Sequence, residues 1–240
     1  MSFDHKKEAG IPATVLSAET MLGTIEALGI VPFFENPIPG YSIEEMTPRE
    51  NWFDGQENLC LTPWDWKIPC VQSGDVAYGK FLWGGKAAFA TVEWYAELMN
   101  WRRSLEKYRP TEDQRLVLDY LEEHGSIGIK EIRGLLGVKK SAADALMTRL
   151  QMQCRVVTGD ITRVYRGPDL HYNGWQVSSF YTPESLFCVE ALPGPGGFPF
   201  GEARTLEVDR SPAESLSRLV EHILDIAPDA TEKTVLKMLQ

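Results

Sequence analysis

The sequence has few cysteines and no long apolar run. Its four cysteines, at positions 60, 70, 154 and 188, form neither a Cys-x-x-Cys pair nor the dense pattern of a disulfide-rich domain. We therefore expect reduced, mostly buried thiols and a cytoplasmic protein. Apolar stretches are only a few residues long, which argues against a transmembrane helix, and the polar N-terminus lacks the apolar segment of a secretory signal. We expect no contact with a membrane.

The patterns of common catalytic and cofactor sites are also missing. The four histidines lie far apart, without cysteine or carboxylate neighbours at metal-ligand spacing, so we predict no metal and no other cofactor. The glycine-rich stretches lack the context and the Lys-Ser/Thr pair of a phosphate-binding loop. There is no Gly-x-Ser-x-Gly sequence of a nucleophile elbow. These motifs therefore do not decide whether the protein is an enzyme.

The charge is net negative but unevenly distributed. The 240 residues carry a formal net charge of −10, with −8 over residues 1–100, +3 over residues 101–170 and −5 over residues 171–240. A net-negative protein repels the phosphate backbone of DNA, which argues against tight nonspecific binding by the whole chain. Only the middle segment can present a local basic face to a polyanion.

Hydrophobic periodicity and turn signals predict an α+β protein in three parts. Residues 1–109 read as a small, acidic, aromatic-rich α+β domain, in which Gly84-Gly85 joins the arms of a β-hairpin. Within it, repeated prolines over residues 35–74 predict ordered but irregular structure. Residues 183–240 read as a Gly/Pro-rich loop followed by two helices that pack back on the rest.

Residues 110–182 carry the pattern of a winged-helix domain, a helix-turn-helix variant. A capping box at Thr111 begins the first helix, and Gly125 and Gly137 end the first two helices. A third helix follows. The strand-like segments after it are 155–158, 161–166 and 175–181. Three helices and a terminal hairpin in this order predict a winged helix.

The third helix of such a unit enters the major groove of DNA. At about 100° per residue, Ala142, Leu146 and Leu150 share one face, which we expect to be buried. The opposite face then carries Lys140, Ser141, Asp144, Thr148 and Gln151. This face carries few groups that could recognise bases, and Asp144 repels phosphate. A winged helix used for packing or for a protein partner therefore stays an open alternative.

Basic and polar side chains of this unit are the candidates for contact with double-stranded DNA, the expected partner. They are Lys139, Lys140, Thr148, Arg149, Arg155, Arg163 and Arg166. Arginines on a hairpin can equally be solvated without a ligand. The acidic, Trp-rich N-terminal domain is a candidate surface for a protein partner.

A pocket candidate lies at Trp64, Asp65 and Trp66. An acid between two large apolar rings is desolvated, which raises its pKa and suits acid–base chemistry. In an extended chain, however, alternate side chains point in opposite directions, and Asp65 then faces water. Both interpretations stay open.

Gln151 and Gln153 form the sharpest local feature. On a helix they lie about 200° apart, which directs Gln151 outward and Gln153 toward the core. On a strand they would share one face. Two neutral amides can hydrogen-bond a base, a sugar or a water molecule, but they cannot take up a proton at neutral pH.

Several stretches together resemble one bacterial family, the AlkZ-related proteins, over roughly residues 20–190 and most of the C-terminal helices. The matching stretches are Phe33-Phe34-Glu35-Asn36, Ile38–Glu45, Trp64–Lys67, Ala77–Phe81, Thr148–Gln153 and Tyr181–Glu184. The family is named for its similarity to AlkZ and YcaQ, winged-helix DNA glycosylases that remove alkylated bases. Those enzymes are longer, with several winged helices in tandem, and carry their catalytic motif in an early helical domain.

The resemblance implies a catalytic role for the amide pair. The glycosylases use a Gln-apolar-Gln or Gln-apolar-Asp motif, which Gln151-Met152-Gln153 matches. By that resemblance the pair would place a water and stabilise positive charge that develops on the sugar. The implied function is a DNA-associated protein that excises alkylated bases by hydrolysis of the N-glycosidic bond, without a metal. The alternatives are a non-enzymatic scaffold that binds a protein or small molecule through the N-terminal domain, and an enzyme that uses Asp65.

Overall fold

A computed structural model describes residues 14–52, 62–188 and 204–240. Over these residues the chain has a mixed α+β fold, as the sequence predicts. Its α-helices are α1 (Ala18–Leu28), α2 (Ile43–Met46), α3 (Pro63–Gln72), α4 (Val92–Ser104), α5 (Glu112–His124), α6 (Ile129–Leu136), α7 (Lys140–Met152), α8 (Pro183–Phe187), α9 (Pro212–Ile226) and α10 (Glu232–Met238). None of these helices has the length and apolar character needed to cross a bilayer.

One antiparallel sheet runs through these ranges. Its strands are β1 (Ile30–Pro32), β2 (Val76–Leu82), β3 (Lys86–Thr91), β4 (Val157–Arg166) and β5 (His171–Tyr181), in the spatial order β1-β3-β2-β4-β5. The predicted turn Gly84-Gly85 joins β2 to β3, with φ of 69° and 87°, where glycine is favoured. Strand β4 pairs with β2 at one position only, Tyr78 opposite Thr158.

The described residues form two hydrophobic cores. The larger core contains β1, β2, β3, α1 and α4, and the smaller one contains α5, α6 and α7. Consecutive residues of the chain enter different cores, since Val156 belongs to the smaller and Val157 to the larger. The hairpin β4–β5 therefore connects the two cores.

The predicted irregular structure over residues 35–74 is wrong at its end, where α3 forms. Pro63 is at the start of this helix, a position at which the missing N–H costs nothing. Pro69 lies inside the helix and removes one backbone hydrogen bond. Burial of Trp66, Ile68 and Val71 against the larger core offsets that loss. The chain around Asp65 is therefore helical, not extended.

Of the C-terminal helices, α9 lies against α4, and α10 packs on α9. The rings of Trp94 and His222 stack with their centroids 3.8 Å apart, and Arg218 pairs with Glu93 and Glu97. Gly29, which ends α1 at φ 68°, faces this stack. A Cβ there would lie 2.2 Å from the Trp94 ring, so no larger residue fits without displacement of α1 or α4.

Arg102 of α4 is fully buried and holds distant parts of the chain together. Its guanidinium donates to the carbonyl of Met152 (2.9 Å) at the end of α7 and to the carbonyl of Leu239. The Trp83 N–H donates to the Met238 carbonyl at 2.8 Å, after the end of β2. The last residue of α10 and the residue after it therefore supply acceptors to the chain that follows β2 and to a buried cation.

Candidate nucleic-acid interface

The buried face of α7 differs from the one that the sequence predicts. Ala143, Met147 and Leu150 face the smaller core, whereas Ala142 is exposed and Leu146 only partly buried. The expected stripe is therefore right for Leu150, but the buried positions before it are Ala143 and Met147 rather than Ala142 and Leu146. The reason is that α7 is covered on two sides, by α6 and by β2, which widens its buried arc toward the C-terminal end.

The second covered side of α7 lies against the β2–β3 hairpin. A Cβ on Gly85 would lie 2.6 Å from Cγ2 of Thr148, and a Cβ on Gly79 would lie 2.8 Å from Oε1 of Gln151. Glycine at both positions thus permits this close approach. The Thr148 hydroxyl donates to the carbonyl of Asp144 at 2.9 Å. Thr148, a predicted DNA contact, is therefore half-buried against this hairpin.

Gln151 is 3% exposed and joins α7 to β2. Its Nε2 donates to the carbonyl of Met147 at 3.1 Å, and its Oε1 accepts from the backbone N–H of Lys80 at 2.9 Å. The expectation that Gln151 points outward is wrong, because the face opposite the smaller core is occupied by a strand.

Gln153 is also buried, but it faces α5 rather than β2. It is 5% exposed, and its Nε2 donates at 2.9 Å to Oε1 of Gln114 on α5. The same Gln114 oxygen accepts from the Thr111 N–H that begins α5. Gln153 Oε1 is buried and finds no hydrogen-bond partner in the described ranges. The two amides therefore face different elements, and neither is open to solvent.

Some of the predicted phosphate contacts are exposed to solvent, and others are partly buried. Lys139, Lys140, Arg149 and Arg166 are exposed. Arg155 is partly buried, and its pKa is lowered by burial and by the neighbouring Arg103 guanidinium. The exposed residues of α7 and its cap are Lys139, Lys140, Ser141, Ala142, Ala145 and Arg149. We call Lys139 and Lys140, at the start of α7, the cationic turn.

Asp65 anchors the hairpin β4–β5 to α3. Its Oδ1 accepts from Nε of Arg163 at 3.0 Å and from the hydroxyl of Tyr172 at 2.8 Å, and the side chain is almost fully buried. Gln176 of β5 donates to the Trp64 carbonyl. The interpretation that Asp65 faces water is therefore wrong. Arg163 points inward to this carboxylate rather than outward to a phosphate.

Of the two predicted pocket rings, Trp66 is buried in the larger core, while Trp64 is partly exposed among other aromatic rings. Those rings belong to Phe33, Phe34 and Trp52.

Sequence reasoning missed Lys67. This lysine is 8% exposed, with Nζ 5.0 Å from the ring centroid of Trp64 and 5.9 Å from that of Tyr78. Burial lowers its pKa to about 8, although the charge of Asp65 acts in the opposite direction. On a helix, residues three apart are neighbours, so the spacing of Trp64 and Lys67 was the signal for this contact.

Within the described ranges, no group of three histidine, cysteine or carboxylate side chains could hold a metal ion. The predicted phosphate contacts that are exposed are therefore the cationic turn, Arg149 and Arg166.

Replacement of Gln151 by Met should destabilise the protein, because the Lys80 N–H loses its acceptor while the side-chain volume is kept. We expect the free energy of unfolding in urea to fall by about 1–3 kcal/mol. Arg149→Met, on the exposed side of the same helix, is the control and should change it by less than about 0.5 kcal/mol. Equal unfolding midpoints for wild type and Gln151→Met would contradict the assigned contact.

Replacement of Asp65 by Asn should loosen the hairpin, because a buried ion pair loses one charge. We expect a loss of about 1.5–3 kcal/mol in the free energy of unfolding, the range for hydrogen bonds to a charged group. Hydrogen exchange should accelerate in β4 and β5 more than in α9. Uniform acceleration across the protein would show that Asp65 does not anchor the hairpin.

Lys67 should make stability rise with pH. Its pKa is about 8 in the folded protein against an ordinary 10.5. Above pH 8 the unfolded chain therefore binds more protons than the folded protein, and the free energy of unfolding rises with pH. Between about pH 7 and pH 9 this gain amounts to about 1 kcal/mol. Lys67→Met should remove this gain, whereas the control Lys233→Met, on exposed Lys233, should keep it. The measurement is urea unfolding at each pH; an identical pH dependence in wild type and Lys67→Met is the contrary result.

The family model described as AlkZ related matches residues 15–240. No curated protein and no solved structure matches the chain significantly. Since the match spans nearly all of the sequence, the chain belongs to the AlkZ-related family.

Proposed function

We propose that residues 110–182 act as a winged helix that binds duplex DNA through the cationic turn. The observation that carries the proposal is the open N-terminal end of α7. Lys139 is the N-cap residue, and no side-chain hydrogen bond caps the helix there. The free N–H groups of the first turn and the two lysines together favour a phosphate.

The topology supports the winged-helix assignment. Helices α5, α6 and α7 precede the hairpin β4–β5, and Ile127, between α5 and α6, forms an antiparallel bridge with Phe180 of β5. This bridge adds a short third strand to the hairpin. Phe180 also packs in the core with Val117, Ile132 and Met147 of the three helices. Such a unit is typical of DNA-binding winged helices.

The β2–β3 hairpin covers part of α7 and so limits the contacts that this helix can make with DNA. Because the β2–β3 hairpin covers the side of Thr148 and Gln151, the side chains of α7 that can approach a groove are those exposed in its N-terminal half and Arg149. Ser141, Ala142 and Ala145 are the short side chains exposed there. They carry few donors for base edges, so contacts to phosphate would provide most of the affinity and little sequence preference.

Base excision stays a prediction that family membership alone supports. The amides of Gln151 and Gln153 give it no support, because both are buried and they hydrogen-bond to different elements. Binding of a protein or small molecule through the N-terminal domain likewise stays a prediction. DNA binding by α7 is the function that the exposed side chains support best.

The test is a titration of labelled duplex, of about 20 base pairs, by fluorescence anisotropy at several salt concentrations. Lys139→Glu/Lys140→Glu should weaken binding at least about tenfold and lower the salt slope by about 2, because two phosphate contacts are lost. Lys233→Glu/Lys237→Glu, the same charge change on α10, is the matched control and should have a much smaller effect. Absence of binding by wild type at low salt, or equal weakening by both variants, would refute the proposal.

A further inference from the structure

The distal part of the hairpin β4–β5 contains an irregularity that presents one tryptophan. Arg163 lies opposite Gln176, and Tyr165 lies opposite Tyr172. Residues 173–175 of β5 therefore stand opposite a single residue of β4. Gly174 has φ 83°, a conformation that residues with a Cβ rarely adopt. This is a β-bulge, a feature that commonly redirects a side chain near a functional surface.

Trp175 follows this glycine and is 56% exposed. Val177, two residues further along the strand, is also more than half exposed, as are Tyr165 and Leu170 near the turn. Exposed large apolar side chains occur singly on many surfaces, but Trp175 and Val177 lie two residues apart on one strand and therefore share one face. The opposite face of the hairpin is held to α3 by the Asp65 contacts.

A cation accompanies the exposed ring. The Arg166 guanidinium lies over the Trp175 ring, 5.6 Å from its centroid, and His171 pairs with Arg166 across the strands. Asp169 lies in the turn between them. A flat apolar ring beside a guanidinium matches the chemistry of a nucleotide, since a base stacks on the ring and a phosphate pairs with the cation.

We propose that Trp175 stacks on an unpaired nucleobase of DNA while Arg166 contacts the adjacent phosphate. This inference rests on the proposed DNA binding and adds a preference to it. A fully paired duplex keeps its bases stacked inside the helix and gives the indole no free face. A duplex with one unpaired base presents such a face at little cost in unstacking. The protein should therefore bind the second duplex more tightly.

The experiment compares two duplexes that differ by one unpaired thymine in the middle of one strand. Wild type should bind the duplex with the unpaired base about tenfold more tightly, as expected for one base stacked on an aromatic side chain. Trp175→Ala should lose this preference and keep its affinity for the paired duplex. Trp175→Phe should restore part of the preference. Leu116→Ala, at an exposed apolar residue of α5, is the control and should behave as wild type.

Each outcome separates this inference from the proposed function. Equal affinity of wild type for the two duplexes would overturn the role of Trp175 and leave binding by the cationic turn in place; the exposed ring would then suit a protein partner. A preference that Trp175→Ala retains would also overturn it. Failure of wild type to bind either duplex would overturn both proposals. Circular dichroism of each variant establishes that the fold is kept.

Discussion

The side-chain amide of Gln151 connects the two hydrophobic cores, and the rest of the interface depends on it. It accepts from the Lys80 N–H of β2 and donates to the Met147 carbonyl of its own helix, in a place that only glycine at position 79 leaves open. This contact sets α7 against the sheet and closes the C-terminal half of that helix. The cationic turn stays exposed at the other end. In this chain the first glutamine of the Gln-apolar-Gln motif is thus accounted for by packing.

The hairpin β4–β5 combines a side fixed to α3 with a free face. Toward α3, Asp65 accepts from Arg163 and Tyr172, and Asp160 accepts from Gln72. The contacts of buried Asp65 restrict how the hairpin can lie against α3, because a carboxylate that lost its donors there would stay unpaired away from water. Trp175 and Val177 alternate with Gln176, which faces α3, and their side chains are exposed on the opposite face. A rigid support and an exposed ring are the two requirements of a surface that binds by stacking.

Local signals in the sequence were sufficient to predict the features that depend on a single interaction between neighbouring residues. The cap at Thr111 and the Gly84-Gly85 turn depend on neighbouring residues, and both are present in the fold. The helix α3 was missed because its prolines favour breaks locally, while its stability comes from burial against residues distant in sequence. The direction of Gln151 was wrong for a similar reason. A helical wheel describes one helix, and nothing near residue 151 indicates that β2 covers it.

The contacts of Arg102 have a consequence for a shortened chain. Its side chain, fully buried, bonds to the Leu239 carbonyl, and the backbone after β2 bonds to Met238. A chain cut before Met238 would contain the whole sheet but lack both acceptors. The guanidinium would then be desolvated with an unsatisfied donor, which disfavours the closed core. Because the same guanidinium also binds the Met152 carbonyl, the loss of these distant residues would loosen the end of α7 as well.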